Sequence, residues 1–359
     1  MILKKIYLLF VLLFCIFIFP AMSFASTVDN NKTDSDVFVV SIDEKEQDII
    51  NSLYDKNLIK SKELLIKILD IAKLHNKIGA GGYKINKNMN ELQVVKVLMD
   101  DPYMKWVTIP EGFRKEQIAE LLAKTLGWKE KQKMEWIFKI TANKDEYIEG
   151  VYFPDTYLLP MTESGEQVAQ RMINRFNEKF SDYSKKFSEK NIKWTTALKI
   201  ASIVQREAAS KEDMPIIAGV IWNRLNKDMK LEIDATVQYV KDSKTHMNTD
   251  LCSVKNSVFW KSGLCFESGI AKIPFLYISS GDWWKPIAVI DEKIDSPYNS
   301  YMYSGLPPSP ICNPGIDAIE AVLNPSETNC IFYLHDANKK IHCAETYDEH
   351  LKNIVSYLR

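Results

Sequence analysis

In "ALKIASIVQREAAS", residues 197–210, one carboxylate stands where the pattern asks for an apolar side chain. Ile200, Ile203, Val204 and Glu207 fall at i, i+3, i+4 and i+7, a continuous stripe on one helical face. Lys199, Ser202 and Arg206 occupy a polar side. Burial disfavours the charged form of a carboxyl and raises its pKa, at about 1.4 kcal/mol per unit. Three readings are open. The stripe ends and Glu207 sits at a wet helix terminus, or Glu207 pairs with an arginine, or it is a general acid kept protonated near neutral pH.

Chemistry on sugars would suit such an acid. The chain carries 16 Tyr and 8 Trp, and aromatic rings stack on the apolar faces of sugars, although most aromatics build cores. A glycoside hydrolase normally uses two carboxylates, and Asp155, Glu232 and Asp234 are candidates for the second. One carboxylate suffices if a hydroxyl of the substrate is the nucleophile. Asp234 and Thr236 form a "DAT" element whose plain reading is a turn or cap. His335, His342, Cys343 and His350 could be drawn as a Cys–His pair or a metal site, but their spacing fits no metal motif, and hairpin core or turn residues are the simpler reading. There is no CxxC pair and no GxSxG, Walker or dinucleotide glycine pattern. No cofactor is therefore expected.

The elements that must position these residues can be read from periodicity. "VFVVSI" (37–42) reads as a strand, two amphipathic helices follow, and "GAGGYKI" (79–85) is a glycine turn into a strand. "MNELQVVKVLMDD" is helical. "WVTIPEG" (106–112) opens a similar unit, with Ile118, Leu121, Leu122 and Leu126 as its helical stripe, which suggests a degenerate repeat. "IEGVYFPDTYLLP" (148–160) is a strand or loop, and helices are expected over about 164–188, around Glu207, and over "MPIIAGVIWNRLNKDM". "LEIDATVQYV" reads as a strand or extended segment. Residues 241–295 are least regular. Near the C-terminus come the helix "IDAIEAVLNP", a hairpin of "CIFYLHD" and "KIHCAET" around "ANKK", and a closing helix "YDEHLKNIVSYL".

The 359 residues suffice for two or three domains. Lys+Arg 46 against Asp+Glu 47 leaves no global basic field, which argues against nucleic-acid binding. Lys4 and Lys5 precede the apolar run Ile6–Phe19, followed by Pro20 and "AMSFAS", the pattern of a cleaved export signal or an uncleaved anchor. Either sends the rest of the chain outside the cytoplasm. A polar linker, "STVDNNKTDSD", comes next. Cys15 lies in the apolar run. Of the five remaining cysteines, Cys252 and Cys265 bracket a short loop and are the expected disulfide.

An ordered set of motifs now points to one family: "IPEG" at 109, "EGVYFPDTY" at 149, "ASIVQRE" at 201, "AGVIWNRL" at 218, "LEIDATVQY" at 231, "SPYNSY" at 296, "GLPPSPICNPG" at 305 and "TYDEH" at 346. From about residue 37 to the end the chain resembles the YceG-like endolytic murein transglycosylases. The resemblance implies an α+β protein with an N-terminal membrane anchor (1–26), a linker (27–36), a small LysM-like βααβ module (37–106) and a mixed α+β catalytic domain (107–359). Residues 241–295 would be a longer insertion, either a lid or glycan subsite or a surface excursion. It also implies that Glu207 is the single general acid and base of a lytic cleavage between N-acetylmuramic acid and N-acetylglucosamine, giving 1,6-anhydro ends. Gln205, Asn223, Asp234, Thr236, Asn299 and Tyr301 would bind or orient glycan. Gln205 is a departure, since the family commonly has Glu there. Peptidoglycan strands, penicillin-binding synthases and the cytoplasmic membrane are the implied partners. The rival expectations are a hydrolase that uses water and a non-catalytic glycan-binding scaffold.

Overall fold

The computed structural model describes residues 37–141, 149–248, 276–277 and 282–358. Strand β1 (Val37–Val40) turns Phe38 and Val40 inward, as a period of two requires. Helix α1 (Glu46–Asp55) buries Ile49, Ile50 and Leu53. Helix α2 (Lys62–Ala72) starts at Ser61, whose hydroxyl accepts the Leu64 N–H. Strand β2 (Gly81–Lys84) pairs antiparallel with β1, and helix α3 (Glu91–Met99) begins with a capping box of Asn90 and Gln93. Phe38, Leu53, Leu65, Leu69, Tyr83, Val94 and Leu98 form the core of this unit.

Strand β3 (Met104–Thr108) pairs with β2 on one side and with β4 (Thr156–Pro160) on the other, giving one antiparallel sheet in the order β1-β2-β3-β4. A Cβ on Gly81, whose φ is +155°, would lie 2.6 Å from Pro102 Cβ, so glycine is what lets the chain return this closely. The sheet is thus continuous through residue 106, whereas the apolar side chains on either side gather in two separate clusters.

The larger cluster is helical. Helix α4 (Lys115–Leu126) buries Ile118, Ala119, Leu122 and Leu126, and α5 (Glu130–Glu135) runs into a π-helical turn, Trp136–Ile140. Helices α6 (Gly165–Glu189), α7 (Trp194–Glu207), α8 (Met214–Asn226) and α9 (Asp234–His246) follow. After a two-residue pairing of β5 (Met247–Asn248) with β6 (Leu276–Tyr277) come α10 (Ile316–Leu323), the hairpin β7 (Phe332–His335) and β8 (Ile341–Ala344), and α11 (Tyr347–Tyr357). Helix α7 is central and touches α6, α8, α9 and α10. The architecture is mixed α+β.

Several expectations need correction. "LEIDATVQYV" is extended only to Ile233 and is helix α9 from Asp234 onward. Leu231, Ile233, Ala235, Val237 and Tyr239 are all buried and so mimic a strand alternation, but Thr236 and Val240 are buried too, which a one-sided strand would not allow. Ser202, placed on a polar side, is fully buried: its hydroxyl donates to the Lys199 carbonyl and accepts the Ile311 N–H. A disulfide joins Cys330 to Cys343 across the base of the β7–β8 hairpin, and Cys312 is a buried free thiol. Cys252, Cys265 and the apolar run Ile6–Phe19 lie outside the described residues. Among the described residues no helix is long and apolar enough to cross a membrane.

One buried side chain clasps three segments that the site depends on. Asn313 Oδ1 accepts the N–H groups of Gly150 and Tyr152, both at 2.9 Å. Its Nδ2 donates to the Phe113 carbonyl at 2.9 Å and to Glu149 Oε2 at 3.3 Å. Alanine would strand all of these groups in the dry interior. Asn313→Ala should lower unfolding stability by about 3 kcal/mol, measured by urea titration.

Candidate functional site

Helix α7 ends at Glu207, and its stripe leads the carboxyl into a cavity of about 410 Å³. The walls come from five places: Arg224 on α8, the 231–234 turn into α9, Tyr301, the strand β7, and the first turn of α11 with Tyr347 and His350. Tyr333 on β7 donates its hydroxyl to Glu207 Oε2 at 2.7 Å. The Ala235 N–H, in the first turn of α9, reaches Oε1 at 3.4 Å. Helix α9 thus directs its positive N-terminal end at the carboxyl.

Burial is the largest influence on Glu207 and raises its pKa above the ordinary carboxylate value. The Tyr333 and Ala235 hydrogen bonds oppose it, the charge of Asp234 adds to it, and His335 works against it. The Tyr333 phenol is itself pushed well up by burial and by the neighbouring Glu207 charge, so it remains a donor. Both the wet-terminus and the buried-acid readings contain part of this: Glu207 is the last residue of its helix, yet it is desolvated. No arginine forms an ion pair with it among the described residues.

The six other sequence-chosen positions divide. Asp234 and Tyr301 line the cavity, and the Tyr301 hydroxyl donates to Asp234 Oδ1 at 2.7 Å. The remaining four have their polar atoms directed elsewhere. Gln205 Oε1 accepts the Gly315 N–H. Asn223 Nδ2 donates to the carbonyls of Thr328 and Cys330, fixing the approach to β7. Thr236 Oγ1 bonds the Ile233 carbonyl and Ser300, closing the turn into α9. Asn299 Nδ2 holds the carbonyls of Glu292 and Ile294, and its Oδ1 accepts the Tyr301 N–H, which sets the Tyr301 loop. Of the candidate second carboxylates, Glu232 lines the cavity beside Asp234, whereas Asp155 is tied to Arg175 at 2.6 Å and is not part of it.

Sequence reasoning passed over Tyr333, Arg224 and Tyr347, and read His335 and His350 as hairpin core or turn residues although both line the cavity. The i, i+2 spacing of Tyr333 and His335 on a recognised strand placed them on one face, which was the available signal. His335 Nε2 lies 3.2 Å from Asp213. Arg224 is a clasp: it donates to the carbonyls of Ile331, Lys230 and Leu231 and reaches Glu232 at 3.3 Å. Glu232 holds a left-handed φ of 50°, a conformation that surrounding contacts must enforce. His350 stacks on Phe332, and burial together with the Arg224 charge lowers its pKa. The Cys–His pair is excluded because Cys343 is in the disulfide, and no acidic, His or Cys group among the described residues could hold a metal ion.

The sequence matches the YceG-like family over residues 38–356, nearly all of what the structure describes. The chain belongs to the YceG-like family. A Streptococcus pneumoniae protein named endolytic murein transglycosylase is 26% identical over 345 residues, covering 87% of this chain and 56% of that protein. A Bacillus subtilis protein of the same name is 27% identical over 301 residues, covering 78% of this chain and 73% of that one. The chain therefore spans about half the length of the pneumococcal relatives it matches. A crystal structure of a putative yceG-like protein from Listeria monocytogenes shares the fold, with a TM-score of 0.57 at 24% identity over 88% of this chain and 98% of that one.

The raised pKa has a consequence for stability. Between the unfolded and the native pKa of Glu207, the native state holds a proton that the unfolded chain has released. Stability is then full at low pH and falls as pH climbs through that window. Glutamine escapes the loss. Glu207→Gln should melt about 2 °C higher than wild type at pH 8, with the gain vanishing below about pH 4, in calorimetric scans across pH.

Proposed function

We propose that the chain is a cell-envelope lytic transglycosylase that cuts within peptidoglycan strands, with Glu207 as its single acid and base. The observation that carries the reading is the Glu207 carboxyl itself: desolvated, displaced toward its neutral form, yet held by the two donors Tyr333 and Ala235. A carboxyl in that state can give a proton and then survive as an anion. The relatives named endolytic murein transglycosylase support the substrate class.

The chemistry would run as follows. Protonated Glu207 donates to the oxygen that links N-acetylmuramic acid to N-acetylglucosamine, and the C1–O bond breaks as positive character grows at C1. The ionised carboxylate, stabilised by Tyr333 and the α9 terminus, then takes the proton of the same sugar's 6-hydroxyl. Attack of that oxygen on C1 closes a 1,6-anhydro ring and returns Glu207 to its starting state. Nucleophile and electrophile belong to one ring, so proximity is supplied by the substrate. Asp234 and Tyr301, joined by a hydrogen bond on the cavity wall, would meet a sugar hydroxyl in this reading.

The finer organisation belongs to the same reading. Residues 1–26 would anchor the chain in the cytoplasmic membrane with the rest outside, 27–36 would link, 37–106 would be the LysM-like glycan-binding module, and 107–359 the catalytic domain. Trimming or terminating nascent strands beside penicillin-binding synthases would be its role in wall growth.

Purified protein incubated with peptidoglycan should release internal fragments with 1,6-anhydro ends, read by mass spectrometry, and Glu207→Gln should lower the rate by at least about 1000-fold. Reducing ends instead would make the protein a hydrolase, and bound but uncut glycan would make it a scaffold. The alkaline limb of kcat/KM should lie above the ordinary glutamate range. Asp234→Asn removes a charge that raises the Glu207 pKa and should move the limb to lower pH. Tyr333→Phe removes a donor that lowers it and should move the limb up, with a slower kcat.

A further inference from the structure

Arg206 precedes Glu207 on the last turn of α7 but turns to different neighbours. Its guanidinium carbon lies 4.1 Å from the Trp284 ring centre. A Cβ on Gly112 would come within 3.2 Å of its Nη1, so the side chain is packed against the "IPEG" loop. The residue is half-buried, its Nε is shielded from water, and that Nε meets no acceptor. Among the described residues no carboxylate forms an ion pair with Arg206.

Arg114 supplies the contrast. It also faces the Trp284 ring, at 5.9 Å, and is fully buried. But it bonds Glu116 at 3.1 Å, the Tyr239 carbonyl at 3.0 Å and the Ser243 hydroxyl at 2.7 Å. A guanidinium taken from water is normally completed in this way. Arg206 has the platform, and although the charges of Glu207 and Asp242 act on it, none of the described carboxylates forms an ion pair with it. The platform is specified in detail: Trp284 adopts a left-handed φ of 63°, its N–H donates to Asp242 Oδ2 at 2.7 Å, and its indole N–H donates to Gln117 Oε1 at 3.1 Å. An arginine stacked on an aromatic ring keeps its planar fork free for a carboxylate in the ring plane.

We propose that Arg206 recognises a carboxylate of the substrate, carried by the peptide stem of the glycan strand beside the bond that Glu207 acts on. This rests on peptidoglycan being the substrate. The stem hangs from the same muramic acid whose C1 reacts, so an anion site one residue from the acid would fix the strand's register and direction.

The test uses the full chain and two defined strands: one with free stem carboxylates, and the same strand with those carboxylates converted to amides. Equilibrium binding and steady-state cleavage are both measured. Wild type should favour the free-acid strand by about tenfold in kcat/KM, expressed chiefly in KM, with a matching difference in binding. In Arg206→Gln the ratio between strands should fall to near one, and Arg206→Lys should be intermediate. A wild-type ratio near one, or a ratio that survives Arg206→Gln, overturns the proposal. If neither strand is cut but binding still depends on the carboxylate and on Arg206, the anion site stands and the transglycosylase reading falls. Binding indifferent to the carboxylate overturns the site whatever the cleavage result.

Discussion

Helix α7 is enclosed from Ile200 to Val204, just before its last three residues, and that enclosure shapes what Glu207 can be. Every residue from Ile200 to Val204 is buried, because α6, α8, α9 and α10 surround the helix. The carboxylate at its C-terminal end continues the buried stripe of Ile200, Ile203 and Val204 and keeps only partial access to solvent. The carboxyl must find its partners in the protein, and the C-terminal end of a helix is already electronegative. Two compensations are built in. The first turn of α9 brings a helix N-terminus to meet it, and β7 brings the Tyr333 hydroxyl. Neither cancels the desolvation. They leave a carboxyl that is displaced toward the neutral form and tolerates the charged one, the two states that the proposed acid and base role calls for.

Much of the remaining polar structure exists to hold those compensations at the right place. Thr236 and Ser300 fix the turn that starts α9, and Asn299 fixes the loop that carries Ser300 and Tyr301. Arg224 and Asn223 pin the segment leading into β7, and the Cys330–Cys343 disulfide closes the hairpin base. Asn313 joins the "IPEG" strand-exit loop to the chain at Gly150 and Tyr152. These are second-rank residues in space although several belong to prominent sequence motifs. A motif records that a residue type is needed at a place, and the need is as often for a backbone clasp as for a ligand contact.

That distinction marks what the sequence could reveal. The Glu207 anomaly is visible within a single helix, since it needs only a period of 3.6 and one misplaced charge. The helices α1–α4, α6–α8, α10 and α11 and the β7–β8 hairpin are equally local and are legible for the same reason. Tyr333 lies 126 residues from Glu207, and no local pattern encodes that meeting. Asn223, Thr236 and Asn299 have the right types for sugar recognition but bond backbone groups, and only the folded chain distinguishes those two uses. Helix α9 was disguised by its burial on several sides. Pairing among the cysteines depends on which strands lie side by side, so the Cys330–Cys343 bridge could not be read from spacing.

The last two residues of α7 carry opposite electrostatic solutions. Glu207 is a desolvated acid whose donors keep its charged form accessible, which in the proposed reaction suits it to give a proton to the substrate. Arg206 keeps its charge, because a guanidinium does not surrender its proton in this range, so its missing component is an anion. Burying both without pairing them to each other is unfavourable for the free protein. An internal ion pair between them would be the simpler solution, and it would silence the acid by holding it ionised. Keeping Arg206 on Trp284 and Glu207 on Tyr333 sends the two adjacent side chains to different neighbours at the end of α7.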